Sequence, residues 1–203
     1  MARSAQANCL NTVAAPKQAR PKPRYPYIIL LSLFFSDDFC RFMNRLTCPI
    51  ENPAFLLPHS GHMVLIDRVI EHCADFVRVE AHIGEKHILL QNGVLPTTMG
   101  MEIMAQAIGA FAGIQALGAG EEVKLGFLLG TRKLNLFADH IPVGTTLAAT
   151  AHLSTQDPSG MGVFDCELHW IDAPDDVRGM LPQDGLLAQA ALNVYSPKDG
   201  KVV

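Results

Sequence analysis

The chain has 203 residues, of which 49% are apolar and 18% charged. That composition describes a globular protein with a sizeable core, and it excludes a disordered acidic chain, a collagen-like chain and a disulfide-dense scaffold. A net charge of -4 gives no support to non-specific nucleic-acid binding. Five cysteines (Cys9, Cys40, Cys48, Cys73 and Cys166) are odd in number and form no C-x-x-C pair, so reduced thiols in a cytoplasmic protein are expected rather than a disulfide framework or structural zinc site.

The charge is divided unevenly along the chain. Residues 1–42 hold six basic and two acidic side chains, while the 161 residues that follow hold 10 basic and 18 acidic ones. The apolar run YPYIILLSLFF at 25–35 is too short for a membrane span, which needs about 20 apolar residues. It has the length of a signal-peptide core, but SDDFCRF follows it and offers no small-residue cleavage site. Residues 1–42 are therefore expected to be a basic leader, either disordered or not part of the native product. Met43 would then open a single domain over 43–203.

Six stretches of that domain read as strands: 63–73, 75–83, 126–137, 145–156, 161–172 and 186–196. They have period-2 or β-rich composition, and turn residues stand at several of their joints, at 142–144, 157–160 and 182–185. Between the second and third lies TTMGMEIMAQAIGAFAGIQALG (97–118), free of proline and bounded by Asn92-Gly93 and Pro96 before it and Gly120 after it. This predicts one long helix, apolar or small nearly all round and so buried on most sides. One helix among antiparallel strands gives an α+β architecture, a sheet wrapped on a helix.

Glu102 is the only charged residue between Lys86 and Glu121. A carboxylate isolated in apolar surroundings is costly, so it should be partnered, protonated or functional. A capping box would need Ser or Thr at 99, where Met99 stands. Gln106, four residues on, shares its face. The amides around Thr97, at the helix N-terminus, are placed to polarise a carbonyl oxygen. Eight histidines are present (His59, His62, His72, His82, His87, His140, His152 and His169), with no pair in a metal-binding spacing, so neither a metal nor a cofactor is expected. His82 and His87 come just before the helix, where the loop must pass its N-terminus, and either is a candidate to reach Glu102.

These residues resemble a family. LLPHSGHMVLIDRV (56–69) is similar to the opening of the bacterial 3-hydroxyacyl-[acyl-carrier-protein] dehydratases, and LPTTMGMEIMAQ (95–106) to the start of their central helix. Pro96 falls six residues before Glu102, as in that pattern, and PVGTTL (142–147) resembles a later strand entry. The resemblance covers about residues 51–196, and the branch it resembles most is the dehydratase-like proteins of aryl-polyene lipid clusters. It implies a hot-dog fold, pairing with an identical or different hot-dog subunit, and an acyl chain held in a tunnel at their interface. It also implies a reaction: dehydration of a 3-hydroxyacyl carrier-protein thioester to the trans-2-enoyl thioester, in fatty-acid or aryl-polyene synthesis. Glu102 would be the acid, a histidine the base, and Thr97 with Pro96 and Gln106 the substrate-binding group. The family's Gly-His-Phe-Pro stretch is absent here. His87 is the nearest replacement and His82 the next. An acyl thioesterase with Glu102 as general base, and a non-catalytic subunit completing an active partner, are the alternatives. Lys124, Arg132 and Lys133 are candidates for docking an acidic carrier protein.

Overall fold

The computed structural model describes residues 46–197, which lie within the unit Asp37–Val203. The leader expected at 1–42 lies outside the described residues.

The strands are β1 (Ile50–Glu51), β2 (Arg68–His72), β3 (Phe76–His82), β4 (Val94–Pro96), β5 (Phe127–Leu136), β6 (His140–Pro142), β7 (Thr146–Gln156), β8 (Met161–Asp172) and β9 (Leu186–Tyr195). The long helix, α1, spans Gly100–Gly118 behind a 3-10 turn at Thr97–Met99, and a short helix, α2, spans Asp175–Arg178. Seven strands form one antiparallel sheet in the order β1-β2-β3-β7-β8-β9-β5, while β4 and β6 pair separately. One long helix against a large antiparallel sheet is the α+β arrangement that the periodicity predicts.

Alternation along the strands decides which face meets the helix. In β3 the residues Val77, Val79 and Ala81 are buried, and they pair with Ala151, Ala149 and Leu147 of β7. Those in turn face Cys166, Leu168 and Trp170 of β8. Against this surface α1 packs Ile103, Met104, Ala107, Ala110 and Ile114, all buried. Full burial of a side chain such as Ile103 contributes about 1.5–3 kcal/mol.

The predicted strand at 63–73 begins too early. Only Arg68–His72 joins the sheet, and Gly61–Met63 is instead a 3-10 turn. Further strand pairing is pre-empted because the Met63 carbonyl and the Leu65 amide are bonded to a helix side chain. The short β1, β4 and β6 carry no periodicity long enough to read. Two of them matter for function. The β4–β6 ladder pairs Pro96 with His140 and Leu95 with Ile141, and so fixes the chain immediately before α1.

Helix and preceding segment approach very closely. A methyl group at Gly113 would stand 2.1 Å from the Leu56 carbonyl oxygen, whereas one at Gly118 would meet nothing within 4 Å. Gly113→Ala is expected to lower stability by about 1–3 kcal/mol in urea denaturation, as overpacking of a tight contact does. Gly118→Ala should be neutral or gain up to about 1 kcal/mol. Burial, and then the neighbouring Asp165, push the Cys166 thiol up to about 12. Since the thiolate is the reactive form, iodoacetamide at neutral pH should leave Cys166 unmodified in the folded protein and label it after denaturation, as read by peptide mass spectrometry.

Candidate active site

Glu102 stands in the first turn of α1. Two elements hold it there. The β4–β6 ladder sets the helix entry, reinforced by the Thr97 amide donating to the Asp139 carbonyl at 3.1 Å. The other element is residues 53–65, laid against the helix: Leu56 meets Gly113, Leu57 meets Gly109, His59 meets Glu102, and Met63 and Leu65 meet Gln106.

Gln106 joins these parts. It is 1% exposed. Its Oε1 accepts from the Leu65 amide at 2.8 Å, and its Nε2 donates to the Met63 carbonyl at 2.7 Å and to Glu102 Oε1 at 3.1 Å. The backbone partners fix which way the amide points, since Leu65 N–H can only donate. Both amide hydrogens are used. Gln106, expected to bind substrate, thus spends its amide on the crossing segment and on Glu102, and holds that carboxylate from inside the core.

On the open side of Glu102 stands His59, its Nε2 3.6 Å from Glu102 Oε1. The two side chains are 33% and 35% exposed, enough to meet a substrate while partly screened from solvent. The other ring nitrogen of His59 is buried without a hydrogen-bond partner. The pair lines a cavity of about 130 Å³ whose other walls include Ala105, Ile108, Gly109, Ala112, Phe127 and Val194. An acid and a base at one end of an apolar hollow can take a proton from one carbon of a bound chain and give one to a leaving group on the next.

The other candidates fall elsewhere within the chain. His82 is exposed at the end of β3, with its Nδ1 3.3 Å from Thr146 Oγ1 and its amide donating to Asp67 Oδ2 at 2.6 Å. His87 lies in the loop after β3. Its Nδ1 accepts from the Leu89 amide at 3.4 Å, while burial pushes its imidazole below the ordinary value, partly offset by Asp67. Neither comes within 4.0 Å of Glu102 in this chain; among the described residues, the histidine that does is His59. Thr97 also differs from expectation. It is fully buried and its amide is occupied by Asp139, so it is not a free oxyanion donor. Pro96 serves the β4–β6 ladder and leads into the turn before α1.

His59 sits within the LLPHSG segment, 43 residues from Glu102 in sequence. Proximity in sequence favours the histidines just before the helix. The signal for His59 was Gln106, a polar residue on a buried helix face, which must find backbone partners in a segment crossing that face.

An antiparallel sheet wrapped on one long helix, with a carboxylate in that helix's first turn beside a histidine at one end of an apolar cavity, defines a hot-dog protein. Residues 51–203 match the family model described as ApeP-like, the ApeP dehydratase, and the chain belongs to that family. Among solved structures it is similar to the dehydratase heterocomplex ApeI:P from Xenorhabdus doucetiae, at 27% identity and a TM-score of 0.62, over 75% of this chain and 93% of that one. The E. coli PaaI protein from the phenylacetic acid degradation operon is more distant, at 16% identity and a TM-score of 0.45, over 63% and 80%. An HP0420 homologue from Helicobacter felis stands at 13% and 0.49, over 78% and 96%. No curated protein matches the chain. Among the described residues no helix is long and apolar enough to cross a membrane.

Replacing Gln106 by Leu leaves the buried Leu65 amide without its acceptor and takes the donor from the Met63 carbonyl. About 1–3 kcal/mol of stability should be lost in urea denaturation, since an unsatisfied buried group keeps its desolvation cost.

Proposed function

We propose that the protein dehydrates a 3-hydroxyacyl carrier-protein thioester to the trans-2-enoyl thioester, in fatty-acid or aryl-polyene lipid synthesis. The observation that carries this reading is the His59–Glu102 pair, held by Gln106 at one end of an apolar cavity. His59 takes a proton from C2 of the substrate. The electron pair of that C–H bond forms the C2=C3 double bond as the C3–O bond breaks. Glu102, protonated at the outset, gives its proton to the departing hydroxyl, which leaves as water. The cycle ends with a protonated His59 and an ionised Glu102, and their 3.6 Å separation lets the proton return across the pair. No cofactor enters this scheme.

The family membership supports dehydratase chemistry, and the likeness to a heterocomplex supports a second hot-dog subunit, identical or different. One feature of this chain favours such a partner. β5 ends the sheet order, and Leu128, Leu129 and Leu136 on it, with Phe137 just beyond, are exposed apolar side chains on an edge strand. His87 donates nothing from its ring: with Nδ1 accepting from Leu89, the proton sits on Nε2, which is buried with no acceptor among the described residues. The chain's own atoms shield that nitrogen, so His87 would enter a site built from two chains only with a shift of its loop, whereas His82 is already exposed. A subunit that only completes an active partner is the second reading that the exposed β5 edge favours. For the carrier protein, Lys124 is the best placed of the basic candidates, since it lines the cavity at the catalytic pair.

The protein, given a 3-hydroxyacyl carrier-protein thioester, should yield a product lighter by one water in mass spectrometry. Glu102→Gln and His59→Ala should each lower that rate by about 10²–10⁴-fold. Formation of free acid would make it a thioesterase, and no change without a second hot-dog protein would make it an accessory subunit. Leu129→Lys should reduce the mass measured by light scattering to that of a single chain, or abolish copurification of the partner subunit.

A further inference from the structure

β5 is the last strand of the seven-stranded sheet, and among the described residues only β9 pairs with it. The outer row of its backbone groups is therefore open to another strand. Its ladder to β9 slips at Leu129 and again at Arg132, so each of these residues is an extra one set into the edge. Exposed apolar side chains stand at either end, Leu128 and Leu129 at one and Leu136 with Phe137 at the other. Between them lie Arg132 and Lys133, both exposed, the one adjacent pair of Lys or Arg residues in a chain of net charge -4.

The charge around this pair is one-sided. No Asp or Glu occurs from 125 to 138, and β9 beside it carries no charged residue. Neither Arg132 nor Lys133 forms an ion pair among the described residues. In the row of Lys133 the first carboxylate is Asp165 on β8, beyond Ala191 and two strands away, about 10 Å between backbones. Lys133 and Asp165 line one hollow on the outer face of the sheet without pairing.

We propose that Arg132 and Lys133 choose the partner: this edge pairs with a hot-dog chain whose facing strand carries carboxylates, and it rejects a second copy of itself. This rests on the two-subunit form of the dehydratase reading and goes beyond it by saying what the second subunit must carry. Two identical strands pair antiparallel about a two-fold axis, and the register that joins them along their whole length sets the middle of one opposite the middle of the other. The middle of β5 falls between Thr131 and Arg132. Two Arg132–Lys133 pairs would then meet, four positive charges around one axis, and like charges opposed across strands are destabilising. Sliding the register separates the charges but neutralises none, because β5 has no carboxylate to offer, and it gives up contact between the apolar ends. A different chain with Asp or Glu opposite Arg132 and Lys133 turns the same charges into cross-strand pairs. The open backbone of a 10-residue strand and its apolar ends suit another strand better than the surface of an acidic carrier protein.

The test supplies the complementary edge by reversing the charge of this one. The full-length wild type and the double variant Arg132→Glu, Lys133→Glu are measured by light scattering at low salt, alone and mixed in equal amounts. Each alone should have the mass of one chain, and the mixture should contain a two-chain species. Raising the salt from about 50 mM to about 500 mM should cut the mixture's advantage in affinity over the wild type by at least about tenfold. A wild type already paired at low salt, a mixture that stays single, or an advantage indifferent to salt would overturn the proposal. So would a carrier protein that binds the wild type one to one and is lost from the reversed variant, since it would then occupy the edge in place of a subunit. If the reversed variant does not fold in urea denaturation, Arg132→Gln with Lys133→Gln decides the matter: it should pair with itself, and a single chain would count against the proposal. None of these masses depends on turnover, so the edge and the dehydratase chemistry stand or fall separately.

Discussion

One buried amide organises this molecule. Gln106 lies on the inner face of α1 and satisfies two backbone groups of the segment that crosses the helix, at Met63 and Leu65, while its remaining hydrogen goes to Glu102. Without it the Leu65 amide would be buried and unpaired, and the segment carrying His59 would be held to the helix only by the packing of Leu56 and Leu57. The same contact stops the β2 strand from extending back to residue 63, orients the carboxylate and brings a histidine to face it. Polar satisfaction and site assembly are here a single requirement.

The glycines of α1 complete the arrangement. At Gly109 and Gly113 the crossing segment comes so near that a side chain on the helix would meet Leu57 or the Leu56 carbonyl. The helix gives up propensity at these positions in exchange for close packing with the segment that crosses its side. Ala105, Gly109 and Ala112 leave space on the adjoining face, and that space is the cavity beside His59 and Glu102. Small residues thus serve two purposes on neighbouring faces of one helix: contact on one, a cavity on the other.

Much of the fold was legible in the sequence because it rests on local patterns. The proline-free stretch at 97–118 gave the helix to within three residues, and alternation gave β3, β5, β7, β8 and β9 to within about a residue at each end. Glu102 stood out because charge is rare in that stretch. The parts that were not legible depend on contacts distant in sequence. Gln106 has the same polarity whether it binds a ligand or a backbone, and only the crossing of residues 61–65 decides between them. The Thr97 amide looked available because the pairing of Pro96 with His140, which brings the Asp139 carbonyl to it, is too short to leave a pattern. His59 was one of eight histidines, and no local spacing distinguishes it.

The central claim is that His59 removes the C2 proton with Glu102 beside it. It is tested most directly by incubating a 3-hydroxyacyl thioester with the protein in deuterated water and following deuterium at C2 by mass spectrometry. Incorporation is expected with the wild type and its loss in His59→Ala. Incorporation that survives His59→Ala and disappears in His87→Ala would contradict it, and would place the base in the loop before the helix.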